Sequence, residues 1–386
     1  MLVVAYLGFI SLGLPDAVAA VAWPSMRERF HLSQSSFGWL FLASGFGYFF
    51  SSFYAGRLVQ WLTVGKLLTL SSLLVGLSML GNSVVPWWWL LVMCGAFWGL
   101  GSGAIDAALN GFVASHFSAK HVSWLHACYS TGATLGPLLM TLCILQADSW
   151  QLGYAVVGTA MLAMSILFFV TQRSWSDGIS SEHGHEPESA SMLEVLREPV
   201  VWIQIALFFC YTGLENTAGQ WSYTLLTEGR SVSPETAGVL VSLYYGSIAL
   251  GRVLFGMIAE RVGLDRLVRL STLAALLGAG CFAWGSLPIA ATGLVLLGFG
   301  LASIFPTLMT RTPQRLGPAV SAHAIGFQVS AAMLGSATLP SLTGIAVDNL
   351  NIHVIGFCVL LVAVALWVIH ELLLWYTRAQ VSMSGH

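Results

Sequence analysis

Residues 87–114 read WWWLLVMCGAFWGLGSGAIDAALNGFVA. Asp106 is the sole charged residue in the stretch. As a helix it would be about 40 Å long, more than the roughly 30 Å of a bilayer's hydrocarbon core. It has no polar face for water, so it reads as a membrane span. Asp106 then sits where a charge costs about 2.5–3.5 kcal/mol on insertion scales. An acid kept at such a depth points to function.

The rest of the chain has the same character. Of 386 residues, 56% are apolar and 8% charged, against roughly 25% charged in a soluble domain. Lipid must be the solvent for most of the surface. A net charge of −2 gives no basis for a nucleic-acid partner. Cys94, Cys128, Cys143, Cys210, Cys281 and Cys358 lie in apolar stretches without zinc or redox spacing and read as small buried hydrophobes. The first apolar run starts at Met1 with no basic leader or small-residue cleavage site, so it reads as a span, with a start a few residues upstream left open, rather than as a signal peptide.

Polar and Pro/Gly breaks divide the sequence into twelve runs of spanning length, near 2–22, 37–57, 66–85, 87–114, 122–146, 151–171, 200–226, 237–258, 267–286, 289–310, 319–346 and 352–376. The fold expected is all-α and integral to the membrane: a six-helix bundle over 1–171, a linker over 172–199 and a second bundle over 200–386. The linker's composition suits a solvated loop, with a short amphipathic helix around Met192–Arg197. Its His183 and His185 read as loop residues rather than metal ligands. With both termini on the cytoplasmic side, the inner side collects Arg57, Lys66, Lys120, Arg173, Arg197, Arg252, Arg261, Arg266, Arg269, Arg311, Arg315 and Arg378. The outer loops keep Arg27, Arg29 and Arg230. That asymmetry follows the positive-inside rule.

The halves repeat at a nearly constant offset. Gly13-Leu14-Pro15-Asp16 precedes Gly213-Leu214-Glu215-Asn216 by 200 positions, and Gly38 and Gly56 precede Gly238 and Gly256 by the same interval. His126-Ala127 is echoed by His323-Ala324. Six spans separate equivalent helices, so the repeat is parallel, about an axis along the membrane normal. Two such bundles can rock around a central site.

On these features the chain resembles the major facilitator superfamily. Gly56-Arg57-Leu58-Val59-Gln60 with Gly65-Lys66 is a weak copy of that family's glycine-and-charge motif, with Gln60 in place of the usual acid. Gly256 through Gly263, followed by Asp265-Arg266, is a better copy. The resemblance implies a cytoplasmic gate at Gly56, Arg57, Gly256, Glu260 and Arg261. Gly13–Ala17 through Trp23-Pro24-Ser25, Ile105–Asn110, Trp124–Ala127 and Phe208–Glu215 look like the branch containing fucose:proton symporters and sugar permeases. Acids on helices 1 and 4 act in coupling there, and Asp16 and Asp106 match them. Gly132-Ala133-Thr134-Leu135-Gly136-Pro137 resembles part of an antiporter motif whose further glycines are Leu138 and Leu139 here.

Asp16, Asp106 and Glu215 lie inside apolar runs with no cation in the same run. Each must face the interior, be protonated, or both. Groups of this kind can load and release protons, and His126 can relay them. Asp106 and Asn110, and Asn216 and Gln220, are four residues apart and share helix faces. With Tyr129, Trp221, Tyr244, Tyr245, His323 and Gln328 they form the expected substrate-binding set. Amides and carboxylates pair with hydroxyls, and aromatic rings stack on a sugar's C–H face. Gly95, Gly99 and Gly103 form a close-packing stripe. His116, His121 and His126, spaced by five, spread around a helix and do not make a metal site. No Ser/His/Asp or HExxH arrangement supports catalysis.

The expected function is proton-coupled symport of a sugar or similar small polar solute, with sodium as an alternative ion. Export of drugs or metabolites is the competing reading. The protein is expected to work as a monomer in a cell membrane, a bacterial inner membrane for preference, with both termini cytoplasmic and without cofactor or metal.

Overall fold

A computed structural model describes residues 1–117, 119–175 and 192–384. Among these residues twelve long helices form: α1 Leu2–Phe30, α2 Phe37–Leu62, α3 Val64–Val84, α4 Trp88–His116, α5 Ala119–Ala147, α6 Trp150–Thr171, α7 Pro199–Thr224, α8 Pro234–Val262, α9 Leu264–Trp284, α10 Leu287–Leu316, α11 Pro318–Asn349 and α12 Val354–Ser384. α10 is broken between Leu301 and Ile304. Pro306 explains the position: its ring excludes the carbonyl four residues back, at Ala302, and offers it no N–H. Ten of the twelve are apolar enough to cross a membrane by composition. α2 and α7 fall short because they carry Ser44, Tyr48 and Ser52, and Glu215, Asn216 and Gln220, toward a central cavity.

The two bundles are built alike. In the first, α1 packs on α5, α2 on α4, and α3 on α4 and α6. In the second, α7 packs on α11, α8 on α10, and α9 on α10 and α12. Every pairing advances by six helices, as a parallel repeat requires. The bundles meet along α2–α11 and α5–α8, again an equivalent pair. The repeated glycines mark both crossings. A Cβ on Gly38 would lie 3.0 Å from Ser341 of α11, and one on Gly238 would lie 2.0 Å from Thr141 of α5.

The stretch expected to be a linker is partly structured. Gln172–Trp175 forms a turn whose Trp175 is buried against Phe112 and Phe168, and Met192–Val195 is a single helical turn. His183 and His185 lie outside the described residues.

An even number of spans puts both termini on one face. The opposite face is closed by contacts between the bundles. Arg27 at the end of α1 pairs with Glu228 beyond α7 at 3.1 Å. Gln34 donates to Glu228 at 3.0 Å and accepts from Trp23 Nε1 at 2.8 Å. Asp348 at the end of α11 accepts the backbone N–H groups of Gln34 and Ser35 at 2.8 and 2.9 Å, just ahead of α2. Beneath this clasp, Phe37 stacks on Trp23 and meets Trp221 edge-on. Trp221 donates to the Pro340 carbonyl at 2.9 Å.

An exposed ion pair contributes only about 0–1 kcal/mol, so the clasp works as a sum of weak bonds. Asp348→Ala removes the carboxylate from two N–H donors, a loss of about 1 kcal/mol by analogy with helix caps. The population open on this face should then rise about fivefold. Spin labels at the exposed Val84 and Leu350, one on each bundle, should report a larger long-distance fraction by pulsed EPR. An unchanged distribution would show that Asp348 does not hold the face shut.

Candidate functional site

A cavity of about 790 Å³ lies between the bundles. The clasp closes it on one side. Phe49 and Phe53 of α2 and Phe327 and Ser330 of α11 line it toward the face that carries the termini, so it opens there. Asp16, Asp106, Glu215 and His126 all line it, as do Asn110, Tyr129, Asn216, Gln220 and His323. The fold thus collects side chains from five helices that are far apart in sequence.

The other expected binding residues are elsewhere. Trp221 is fully buried under the clasp, against Phe37. Tyr244 is fully buried and donates to the Glu215 carbonyl at 2.8 Å. Tyr245 is buried beside Gly219. Gln328 is fully buried and joins Gln204 at 2.8 Å and Thr312 at 3.1 Å. These four support the second bundle instead of forming the cavity wall. They were grouped with the site by residue type, and type does not reveal which side of a helix faces a hole.

Close backbone contacts set each acid. The α4 glycine stripe meets α2: a Cβ on Gly99 would lie 2.0 Å from the Ser44 carbonyl, and one on Gly103 2.4 Å from the Tyr48 carbonyl. That approach brings the Tyr48 side chain within hydrogen-bonding reach of Asp106, which also accepts from Asn110 at 3.0 Å. α1 and α5 touch just as closely. A Cβ on Gly132 would lie 1.9 Å from the Ile10 carbonyl, and one on Gly13 2.1 Å from the Tyr129 carbonyl. There Tyr129 donates to Asp16. On α7, Tyr211 donates to Glu215 one turn away. Each acid therefore has a tyrosine hydroxyl as partner. A phenol supplies a charge-assisted hydrogen bond without adding a charge, which reduces the cost of holding a carboxylate away from water. Tyr48 and Tyr211 were absent from the expected site, and Tyr211 was legible only through its four-residue spacing to Glu215. Gly132 and Gly136, from the antiporter-like fragment, face α1 as packing residues.

Arg252 corrects the reading of the basic residues. Expected on the inner side, it lies within α8 and lines the cavity. Its guanidinium is 3.5 Å from Glu215, and it donates to Ser130 Oγ at 2.6 Å and to the His126 carbonyl at 3.2 Å. The signal was present in the sequence: Arg252 stands between Leu250-Gly251 and Val253-Leu254, and it is as deep in its run as the acids are in theirs. A second connection between the bundles is Gln220, which donates to the Asp16 carbonyl at 2.8 Å.

The expected gate residues are not assembled in this conformation. A Cβ on Gly56 or Gly256 would meet nothing within 4 Å, so neither lets a second helix approach. Arg57 lies over the ring of Tyr54 on its own helix at 5.9 Å, and Arg261 is exposed. The side chain of Glu260 is outside the described residues. Asp265, from the same motif, pairs with Arg311 and Arg315 of α10, tying α9 to α10 within the second bundle.

Two pseudo-symmetric bundles around a central cavity, sealed on one face and open on the other, define a secondary active transporter that works by alternating access. The chain belongs to the Major Facilitator Superfamily, whose family model matches residues 5–327 and 205–384. Uncharacterized transporter y4wD of Sinorhizobium fredii is 26% identical over 366 residues, covering 92% of this chain and 95% of that one. The glucose/mannose transporter GlcP of Bacillus subtilis is 23% identical over 277 residues, 68% of each chain. Human sodium-dependent glucose transporter 1 is 23% identical over 379 residues, 87% of this chain and 71% of that one. Among solved structures, FucP in its outward conformation superposes with a TM-score of 0.65 at 15% identity, covering 96% of this chain and 98% of that one. A bacterial homologue of the human lysosomal transporter Spinster, inward-facing and unoccupied, gives 0.72 at 13% identity, covering 98% and 96%.

Gly132→Leu should part α1 from α5 and destabilise the bundle by about 1–3 kcal/mol, the usual cost of overpacking. Thermal unfolding followed by size-exclusion chromatography should show a clear drop in midpoint. Gly111→Leu, where a Cβ meets nothing within 4 Å, should leave the midpoint near wild type. Equal effects would remove the close contact as the basis for placing Tyr129 at Asp16.

Proposed function

We propose that this protein is a proton-coupled symporter of a sugar or similar small polar solute. The supporting observation is the charge content of the cavity: Asp16, Asp106 and Glu215 face it with Arg252 as the cation. Among the described residues Asp16 and Asp106 have no cationic partner, and such groups suit proton loading. Asn110, Asn216 and Gln220 add amides that match hydroxyl groups. GlcP and the sodium-dependent glucose transporter favour a sugar by their names; the second also makes sodium the alternative coupling ion.

In this reading the face carrying the termini is cytoplasmic, in a bacterial inner membrane, and the conformation is inward-open. The basic residues retain their bias after Arg252 is moved to the cavity. Arg57, Arg261, Arg266, Arg311 and Arg315 lie at that face, while Arg27 and Arg230 lie at the other. The transporter works as a monomer, with the binding set narrowed to the cavity-lining residues.

Reconstitution into liposomes tests the proposal. An inward-directed proton gradient should drive accumulation of at least one sugar from a panel of hexoses, pentoses and nucleosides. Asp106→Asn should reduce that accumulation roughly tenfold or more, within the usual range of coupling free energies, with less effect on exchange of labelled for unlabelled solute. Accumulation driven only by sodium would replace the ion. Failure of every polar solute, together with drug resistance in an expressing strain, would favour export instead.

A further inference from the structure

We infer that the cavity also opens sideways, through a slot between α2 and α11 into the inner half of the bilayer, and that its solute is an uncharged sugar head carrying an alkyl chain. The sugar head rests on the symport reading. The slot and the chain go beyond it.

The two seams between the bundles differ. On the α5–α8 seam, Arg252 crosses to Ser130 Oγ at 2.6 Å. The cavity-lining residues of that seam, His126, Tyr129 and Arg252, are not exposed. On the α2–α11 seam a Cβ on Gly45 would lie 3.1 Å from Ala337, but one on Gly56 or Gly326, nearer the termini, would meet nothing within 4 Å. Phe49 and Phe53 of α2 and Gly326 and Ser330 of α11 line the cavity and are exposed as well. Phe53 is 70% exposed. A residue that faces both a cavity and the outside stands at the rim of an opening.

The difference follows from one residue. At the 200-residue offset, α2 has Ser52 where α8 has Arg252. Its side chain is too short to cross to the other bundle. Its hydroxyl instead donates to the Gly103 carbonyl of its own bundle at 3.2 Å.

Depth turns the opening toward lipid. Phe53 and Phe49 lie about 6 and 12 Å along α2 from Arg57 toward the membrane centre. Arg57 marks the inner surface in the symport reading. The two rings continue the exposed apolar face of Phe46 and Phe50. Ser52 sits beside them and touches α4 within a turn of Asp106, so the apolar rim and the polar wall meet there.

Charge selects the occupant. Asp16, Asp106 and Glu215 line the cavity against Arg252. An anionic head such as a phosphate would meet like charge, which argues against a phospholipid. In the symport reading protons, not the solute, neutralise Asp16 and Asp106, so the head is uncharged. Asn110 and Asn216 match its hydroxyls. A cavity of about 790 Å³ is of the size that encloses drug-sized ligands, enough for a sugar and the first part of a chain.

The probe for the test is tritiated n-octyl β-D-glucoside, below its micellar concentration, with the parent chain in nanodiscs and empty nanodiscs subtracted. Unlabelled methyl, butyl, hexyl and octyl glucosides should displace it with affinity rising about threefold per methylene. Ser330→Trp fills the slot and Phe53→Ser makes its rim polar. Both should flatten the rise to less than about twofold per methylene. Val253→Trp, at the α8 position that matches Phe53, should keep the rise, which removes partition into the bilayer as its cause. Octyl phosphate should displace the probe about tenfold more weakly than octyl glucoside. A second measurement is independent of these variants. A nitroxide at Phe53→Cys, with the six native cysteines replaced, should collide with oxygen more than with a water-soluble nickel chelate, and octyl glucoside should lower the oxygen collisions.

Equal affinity at every chain length, an unaltered rise in Ser330→Trp and Phe53→Ser, or a nitroxide that favours nickel overturns the inference and leaves sugar symport standing. Octyltrimethylammonium or octyl phosphate displacing the probe better than octyl glucoside overturns the uncharged head. No saturable binding of octyl glucoside overturns the inference outright. A steep chain-length rise without proton-driven uptake of any glycoside would support the slot and sink the symport reading.

Discussion

Lipid offers no hydrogen bonds, and this constraint governs every level of the structure. Backbone groups must be satisfied within each segment, so the chain is helical wherever it crosses. The break in α10 obeys the same constraint. Ser303 lies at the break and is buried, and its hydroxyl bonds to that of Ser271 on α9 at 2.7 Å. Charges must also find partners inside the protein. Tyr129, Tyr48 and Tyr211 serve the three acids, and Glu215 additionally serves Arg252. The cavity is therefore a largely apolar-walled hole whose few polar groups have nowhere else to go.

The two sides of the cavity are held by different physics. On the clasp side, exposed ion pairs and backbone N–H bonds to Asp348 are individually weak and reach water. They can be exchanged for hydration at little cost. Beneath them, the packing of Trp23, Phe37 and Trp221 supplies an apolar seal. Among the described residues the opposite side shows no comparable seal in this conformation: a Cβ on Gly56 or Gly256 would meet nothing within 4 Å. A transporter that alternates needs closures of similar strength on both faces, because only a few kcal/mol can separate two states that are both to be visited. A clasp made of many small contacts meets that requirement better than one deep ion pair.

Much of this was legible in the sequence. The twelve apolar runs fall on the twelve helices because spanning length and lipid exposure leave a one-dimensional signal. The α4 stripe Gly95, Gly99 and Gly103 could be read as a contact face because four-residue spacing fixes a face regardless of the partner. The three acids were found because a charge in an apolar run is conspicuous. What failed depended on rotation about the helix axis. Trp221, Tyr244, Tyr245 and Gln328 have the right chemistry but face packing neighbours. Arg252 is the other case: it lies inside the apolar run 237–258, but an inner-side charge bias gives it the same weight as a loop cation and hides its place at the cavity.

The repeat is symmetric in its backbone and unequal in its chemistry, and the inequality is concentrated at matching positions. At the 200-residue offset, Arg252 corresponds to Ser52, and both line the cavity. Asp106 corresponds to Pro306, so α10 is broken about one turn from the depth at which α4 carries an acid. Glu215 corresponds to Pro15, one residue from Asp16. Equivalent backbones are what rocking requires, since each bundle must pack against the other in two related ways. Equivalent charges would work against it: two copies of Arg252 would repel across the cavity, and two copies of Asp106 would compete for one proton. Dividing the charges, with two acids on one bundle and an acid–arginine pair on the other, makes the two sides of the interface chemically distinct while the helical frame stays the same on both.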